Sequence, residues 1–419
     1  MTPISNGLTR WDNTMRKRTI CLLLCVFAAP AAAQDSPITL WKREVLNSAK
    51  LKEQRAIYVT TPEGYQAGTS RYPVLVLLDA EDRAQFNLAV ANVAFLADRG
   101  AIPKMIVVGI ANGKDRTHDM TPVATSGRAK NFATAGGVGM FADFIVDEVM
   151  PLVRAKYRTL PTTVLAGHSF GGLVALEVAA NKPGVFSGVI AMSPSLWWND
   201  SSGVVEYSNA LAKAAKGERV FVTHGGLEPD IDRTTAAFSQ RMDSLKPALI
   251  AFGHQRYPED SHNMTPAPSL VAGLRFIFEP VSVAKLPTSM LGPDTDSAML
   301  MNAFVESRRR FAAGARSLGL DERFPESETN NLGYAALQYL KKPALALWLF
   351  RQNADAYPES ANVYDSLGDG LLGMGDTTAA IGQLRRAIDL AKRTKQPVLS
   401  ESQRKLKELE AAQAKGKGQ

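Results

Sequence analysis

Cysteine is nearly absent. Only Cys21 and Cys25 occur in 419 residues, both inside a short apolar stretch near the start. The rest of the chain therefore has no disulfide framework, no thiolate metal site and no thiol nucleophile. Histidine is scarce too. Five residues leave few choices for a general base at neutral pH. Long apolar runs are missing. Ile20 to Phe27 is far shorter than the roughly 20 residues a spanning helix needs. The net charge of +7 is not gathered into a basic stripe interleaved with aromatics, so nucleic acid is not an expected partner. What remains is 45% hydrophobic and 21% charged, the balance of a folded globular chain. Its length suggests about two to three domains.

The N-terminus carries a targeting pattern. Arg16-Lys17-Arg18 precede the apolar stretch, and Ala31-Ala32-Ala33-Gln34 supply a small-residue cleavage site. This predicts a signal peptide over residues 1–33, a periplasmic or secreted product, and no stable membrane anchor after cleavage. Cys25 follows Leu24 rather than a small residue, which argues against lipid attachment.

Buried-strand patterns begin further on. Arg55 to Thr61 alternates and stops at Pro62. Tyr72 to Leu78 and Met105 to Ile110 are continuous apolar runs, with a helical pattern over Phe86 to Leu96 between them. Strand, helix and strand with both faces buried predict a mostly parallel α/β sheet covered by helices. The most informative stretch is Thr163 to Ala180. An apolar run leads into Gly167-His168-Ser169-Phe170-Gly171 and continues as a helix. G-x-S-x-G between a strand and a helix is the nucleophile elbow of the α/β-hydrolase fold. The small residues flanking Ser169 allow the backbone to fold closely, and the Phe170 amide faces the place of a developing oxyanion. In such folds the loop after the third strand supplies a second oxyanion donor, which here points to the amide of Ala80.

The remaining catalytic groups follow from chain order, nucleophile then acid then histidine. Glu228 and Asp230, after the strand Arg219 to His224, both qualify as the acid. His118 and His224 precede them. His168 lies within the elbow, and His254 ends a strand pattern. His262, in the polar loop Pro258 to Asn263, is the candidate base. Arg116, in Asp115-Arg116-Thr117-His118-Asp119-Met120-Thr121-Pro122, either meets a polar substrate group or pins its loop to an aspartate. Trp197 and Trp198 form either an apolar substrate wall or a core anchor.

Together these segments resemble the putative-esterase family, which includes esterase D and the enterochelin, salmochelin and bacillibactin esterases. The resemblance rests on Pro73 to Asp79, Val108-Gly109-Ile110, Asp115 to Pro122, Gly167 to Gly172, Ser193 to Trp198 and Pro258 to His262. It spans roughly residues 40–280. It implies Ser169 as nucleophile, His262 as base, and an acid in a G-x-x-E pattern, matched by Gly225 to Glu228. The family usually has glycine where Ala80 stands.

The expected organisation is therefore a signal peptide (1–33), an α/β-hydrolase domain (34–280), a linker and connecting helix (281–325), and an all-α domain (326–419). In the last, Leu332-Gly333, Ala344-Leu345 and Arg351 recur as Leu367-Gly368, Ala379-Ala380 and Arg386. The offset of 35 residues is close to the ~34-residue tetratricopeptide period. About three repeats are needed to stand alone, so these two are expected to dock on the hydrolase domain, on the helix over 297–318, or on a second copy or protein partner. The chemistry implied is hydrolysis of a small-molecule carboxylic ester through an acyl-enzyme, with no metal and no cofactor. Siderophore-type esters are included among the substrates considered. Acyl transfer on the same residues and a non-catalytic repeat scaffold are the alternatives.

Overall fold

Burial on both faces decides which strands take the centre of the sheet. The computed structural model describes residues 40–66, 69–283, 294, 296–394, 396 and 400–416. The signal peptide expected over 1–33 and the linker residues 284–293 lie outside the described residues. The first half runs β1 (Lys42–Ser48), β2 (Glu53–Thr60), β3 (Tyr72–Leu77), α1 (Arg83–Asp98), β4 (Ile106–Ile110), α2 (Arg116–Met120), α3 (Val138–Phe144) and α4 (Met150–Lys156). It continues with β5 (Thr159–His168), α5 (Phe170–Asn181), β6 (Gly188–Met192), α6 (Trp198–Ala212), β7 (Glu218–Gly225), α7 (Pro229–Leu245), β8 (Ile250–Tyr257) and α8 (Pro266–Ile277).

These strands form one eight-stranded sheet in the order β1-β2-β4-β3-β5-β6-β7-β8. β1, β2 and β4 pair antiparallel, and every pair from β4 to β8 is parallel. β4 and β6 are buried along their whole length, as central parallel strands must be. The edge strand β1 is mostly exposed and starts with Lys42, Arg43 and Glu44, charges that discourage edge-to-edge pairing. Alternation along β3 sorts the core into two layers. Val74 and Val76 pack with Phe141, Phe144 and Leu173 on one face. Leu75 and Leu77 pack with Phe86, Leu274 and Ile277 on the other. α1 begins where the Asp82 side chain accepts the Gln85 amide at 3.1 Å, a helix N-cap.

The second half is all helical: α9 (Ser297–Leu318), α10 (Glu326–Tyr334), α11 (Pro343–Ala356), α12 (Ala361–Gly373), α13 (Thr377–Thr394) and α14 (Ser400–Gly416). α9 joins it to the sheet. Ala315 and Leu318 belong to the α1–α8 layer of the core, while Phe304 belongs to the helical core with Phe350, Val363 and Leu367. Thr162, near the start of β5, hydrogen-bonds the Leu318 carbonyl at 2.5 Å. The helices therefore dock at the end of the strands opposite Ser169. Seven residues of strand at about 3.3 Å each put roughly 23 Å between the two ends. The repeated glycines mark close helix approaches. A side chain at Gly333 would strike the Phe350 ring, and one at Gly368 would crowd Leu384. α14 lies against α12 and α13 through polar contacts, Lys405 to Asp369 (2.8 Å) and Arg385 to Glu410 (2.7 Å).

Candidate active site

The carboxyl ends of β5, β6 and β7 stand side by side, with His168 opposite Met192 and Met192 opposite Thr223. The loops leaving these ends build the site. Ser169 follows β5 at φ 61° and ψ −117°, a conformation costly for a side chain with a Cβ, on the order of 1–3 kcal/mol. Backbone bonds hold it there. Its amide donates to the Met192 carbonyl (3.0 Å), and its carbonyl accepts from Leu173 (3.0 Å) and Ser195 (3.1 Å). A Cβ at Gly167 would overlap the Gly171 backbone, and one at Gly172 would lie 2.9 Å from the Met192 oxygen. The elbow's glycines are thus required by packing. Phe170 starts α5, so its amide has no intrahelical acceptor.

His262, on the loop between β8 and α8, has Nδ1 2.5 Å from Glu228 Oε2. Glu228 is buried and heavily supported. Its Oε1 accepts from Ser193 Oγ at 2.6 Å and from the Gly225 amide. Burial pushes this carboxyl up, but the donors from His262, Ser193 and Gly225 outweigh it and hold it below the usual range. Asp230 points elsewhere. It is half exposed and pairs with Arg128 at 2.9 Å.

Two supporting groups were not legible as such in the sequence. His168 turns under the His262 loop and donates from Nε2 to the His262 carbonyl at 2.9 Å, with the two rings 4.3 Å apart. Burial, and then the neighbouring His262, push its pKa down to about 4, so it stays neutral. Thr265 Oγ1 donates to the same carbonyl at 3.0 Å. The sequence signal for Ser193 lay in its place within Ser193 to Trp198; nothing local distinguished Thr265. The other histidines stand apart from the Glu228 carboxylate. His118 bonds the Thr134 carbonyl (2.7 Å), His224 is buried 3.1 Å from Asp232, and His254 faces Asp243 (3.2 Å).

One expectation is overturned, and two open alternatives are decided. The Ala80 amide is not free for an oxyanion: it donates to the Ile110 carbonyl at 3.0 Å and the residue is fully buried. The fork of Arg116 is committed to Asp79, at 2.6 Å from Nε and 2.8 Å from Nη2, so this arginine pins its loop. The same loop is tied down by the buried Arg55, which pairs with Asp119. Trp198 is buried in the core, whereas Trp197 is half-buried beneath the Arg128 guanidinium, 4.1 Å from its ring. Phe132, Phe170 and the two tryptophans form one aromatic cluster beside Ser169. Among the described residues no group of His, Cys, Asp and Glu is placed to hold a metal ion, and no helix is long and apolar enough to cross a membrane.

A strand-order sheet of this kind, with a strained serine on the β5–α5 turn, defines an α/β-hydrolase fold. The chain belongs to the Putative esterase family, whose profile matches residues 48–257, half of its length. It is 28% identical over 227 residues to the iron(III) enterobactin esterase of Escherichia coli, a match covering 52% of each chain. It is 31% identical over 146 residues to the siderophore triacetylfusarinine C esterase of Aspergillus fumigatus, covering 33% of this chain and 49% of that one. The chain spans about half the length of these curated relatives. Among solved structures, an IroE-like serine hydrolase from Shewanella oneidensis superposes with a TM-score of 0.61 at 26% identity, covering 75% of this chain and 99% of that one. An uncharacterised protein from Capnocytophaga ochracea shares the fold over 88% of this chain, with a TM-score of 0.56 at 18% identity.

Proposed function

We propose that this protein hydrolyses carboxylic esters through Ser169, His262 and Glu228. The observation that carries the reading is the 2.5 Å contact between His262 Nδ1 and a buried Glu228 carboxylate, on loops that flank the strained Ser169 turn. His262 takes the Ser169 proton at Nε2 as Oγ attacks the ester carbonyl. Glu228 holds the imidazole in the tautomer that leaves Nε2 free to accept. The Phe170 amide meets the oxyanion. The alcohol leaves with the proton from His262, and water then repeats the sequence on the acyl-enzyme. The names of the relatives favour a siderophore-type ester as substrate, and the aromatic cluster around Trp197 suits an apolar or aromatic acyl group. The N-terminal pattern supports export. Helix pairs starting at Glu326 and Ala361, with the 35-residue sequence offset, support a tetratricopeptide-like annex.

The test is a panel of soluble short-chain esters and trilactone siderophores, assayed with the wild type and Ser169→Ala, with added alcohols to detect acyl transfer. Turnover by the wild type and none by the folded variant is expected. Equal rates in both would overturn the reading.

A further inference from the structure

Ser195 stands apart from the three groups above, yet its hydroxyl lies 3.4 Å from Ser169 Oγ. The residue is buried, with 1% exposure, so water does not satisfy its O–H. Its position is fixed from both sides. Its amide donates to the Ser169 carbonyl at 3.1 Å, and its own carbonyl accepts from Trp198 at 3.1 Å. Two residues earlier, Ser193 is fixed by its amide on the Thr223 carbonyl (2.8 Å) and grips Glu228. Ser193-Pro194-Ser195 thus reaches the acid with one hydroxyl and the nucleophile with the other.

Resting on the ester-hydrolase reading, we propose that Ser195 donates a hydrogen bond to Ser169 Oγ and stabilises the charge that gathers on that oxygen during acylation and deacylation. The proton inventory supports this direction. A hydroxyl has one proton and two lone pairs. Ser169 gives its proton to His262 Nε2 as the Oγ–C bond forms and the carbonyl π pair moves onto oxygen. The Ser169 lone pair is then the acceptor the buried Ser195 O–H faces. A contact of 3.4 Å is long for O–H···O, and worth little in the resting enzyme. Hydrogen bonds to a charged oxygen are short and about twice as strong. The contact therefore tightens as Oγ loses its proton, and again when the acyl–oxygen bond breaks in deacylation. An interaction stronger in the transition state than in the ground state raises kcat and leaves KM alone.

The experiment compares wild type, Ser195→Ala and the near-isosteric Ser195→Cys, a much weaker donor. It reads kcat and KM on a soluble ester across pH, and the rate of Ser169 inactivation by a fluorophosphonate. Both variants should lose about tenfold to a hundredfold in kcat and in inactivation rate, with KM and the pH inflection unchanged. A variant at the wild-type rate, a raised KM at constant kcat, or a shifted inflection would overturn the proposal. The last two would assign Ser195 to packing of the loop. If Ser195→Ala fails to fold, Ser195→Cys decides alone. A wild type that neither turns over esters nor reacts with the fluorophosphonate would instead sink the ester-hydrolase reading.

Discussion

Replacing Glu228 by glutamine keeps the side chain's size and removes its charge, which makes it the sharpest probe of the relay. In the native site Oε1 accepts from Ser193 and Gly225, and Oε2 accepts from His262 Nδ1. A glutamine must keep its single oxygen toward Gly225 and Ser193, because the Gly225 N–H can only donate. Its NH2 group then faces His262 Nδ1. The imidazole must turn its proton to Nε2, where it can no longer accept from Ser169. The cost is about 10⁴-fold in kcat, as expected when the acid of a triad becomes an amide and the tautomer is wrong. At 1.36 kcal/mol per decade that is about 5 kcal/mol of transition-state stabilisation. Asp230→Asn is the paired control. It removes half-exposed pairs with Arg128 and Arg233, worth about 0–1 kcal/mol of stability each, and should leave kcat within about twofold. The assay is kcat on a soluble ester beside thermal melts. A Glu228→Gln enzyme within tenfold of wild type, or a larger loss at Asp230→Asn, would overturn the assignment of Glu228 as the acid. Stability gives a second reading. The folded-state pKa of Glu228 is depressed, so its carboxylate stabilises the fold above the unfolded value near 4.5. That contribution is lost as pH falls through the folded value, and Glu228→Gln should lack this dependence.

Three further outcomes follow from the same geometry. Ser169→Ala should retain its melting temperature or rise slightly, since the strained φ remains, while kcat falls by about five orders of magnitude or more; near-normal turnover would refute the assignment. His168 has a folded pKa near 4 against 6.5 unfolded, so the unfolded chain binds the extra proton between those values. Stability should fall as pH drops from 6.5 to 4, by up to about 3 kcal/mol, and His168→Gln should flatten that slope in pH-dependent melts. Deleting residues from 326 onward should expose the apolar faces of Phe304 and Phe324, changing mass by light scattering, while activity per titrated active site survives.

How much of this was legible in the sequence depends on the range of the interactions. The elbow was, because tight packing around Gly167, Ser169 and Gly171 is a local demand written in consecutive residues. The sheet was, because β4 and β6 are unbroken apolar runs. α9 was read over residues 297–318, its observed span. The oxyanion assignment to Ala80 failed because its amide is taken by Ile110, thirty residues away on another strand end. Arg116 could be read either way until Asp79 was seen to occupy its fork. His168 and Ser195 meet partners distant in sequence, the His262 carbonyl and Ser169 Oγ, and no spacing rule points to them. The 35-residue repeat and its docking on the 297–318 helix were among the readings of the sequence, but its place at the Thr162 end of β5 was not.

Every step of the proposed chemistry depends on Ser169 being a nucleophile activated in the folded site. The most direct test of that role is mass spectrometry of the intact protein after fluorophosphonate treatment, with peptide mapping and ester turnover followed in parallel. One adduct per chain is expected, on Ser169, with activity lost in step with labelling and no adduct after denaturation. An adduct on another residue, or full ester turnover by protein labelled at Ser169, would contradict that role.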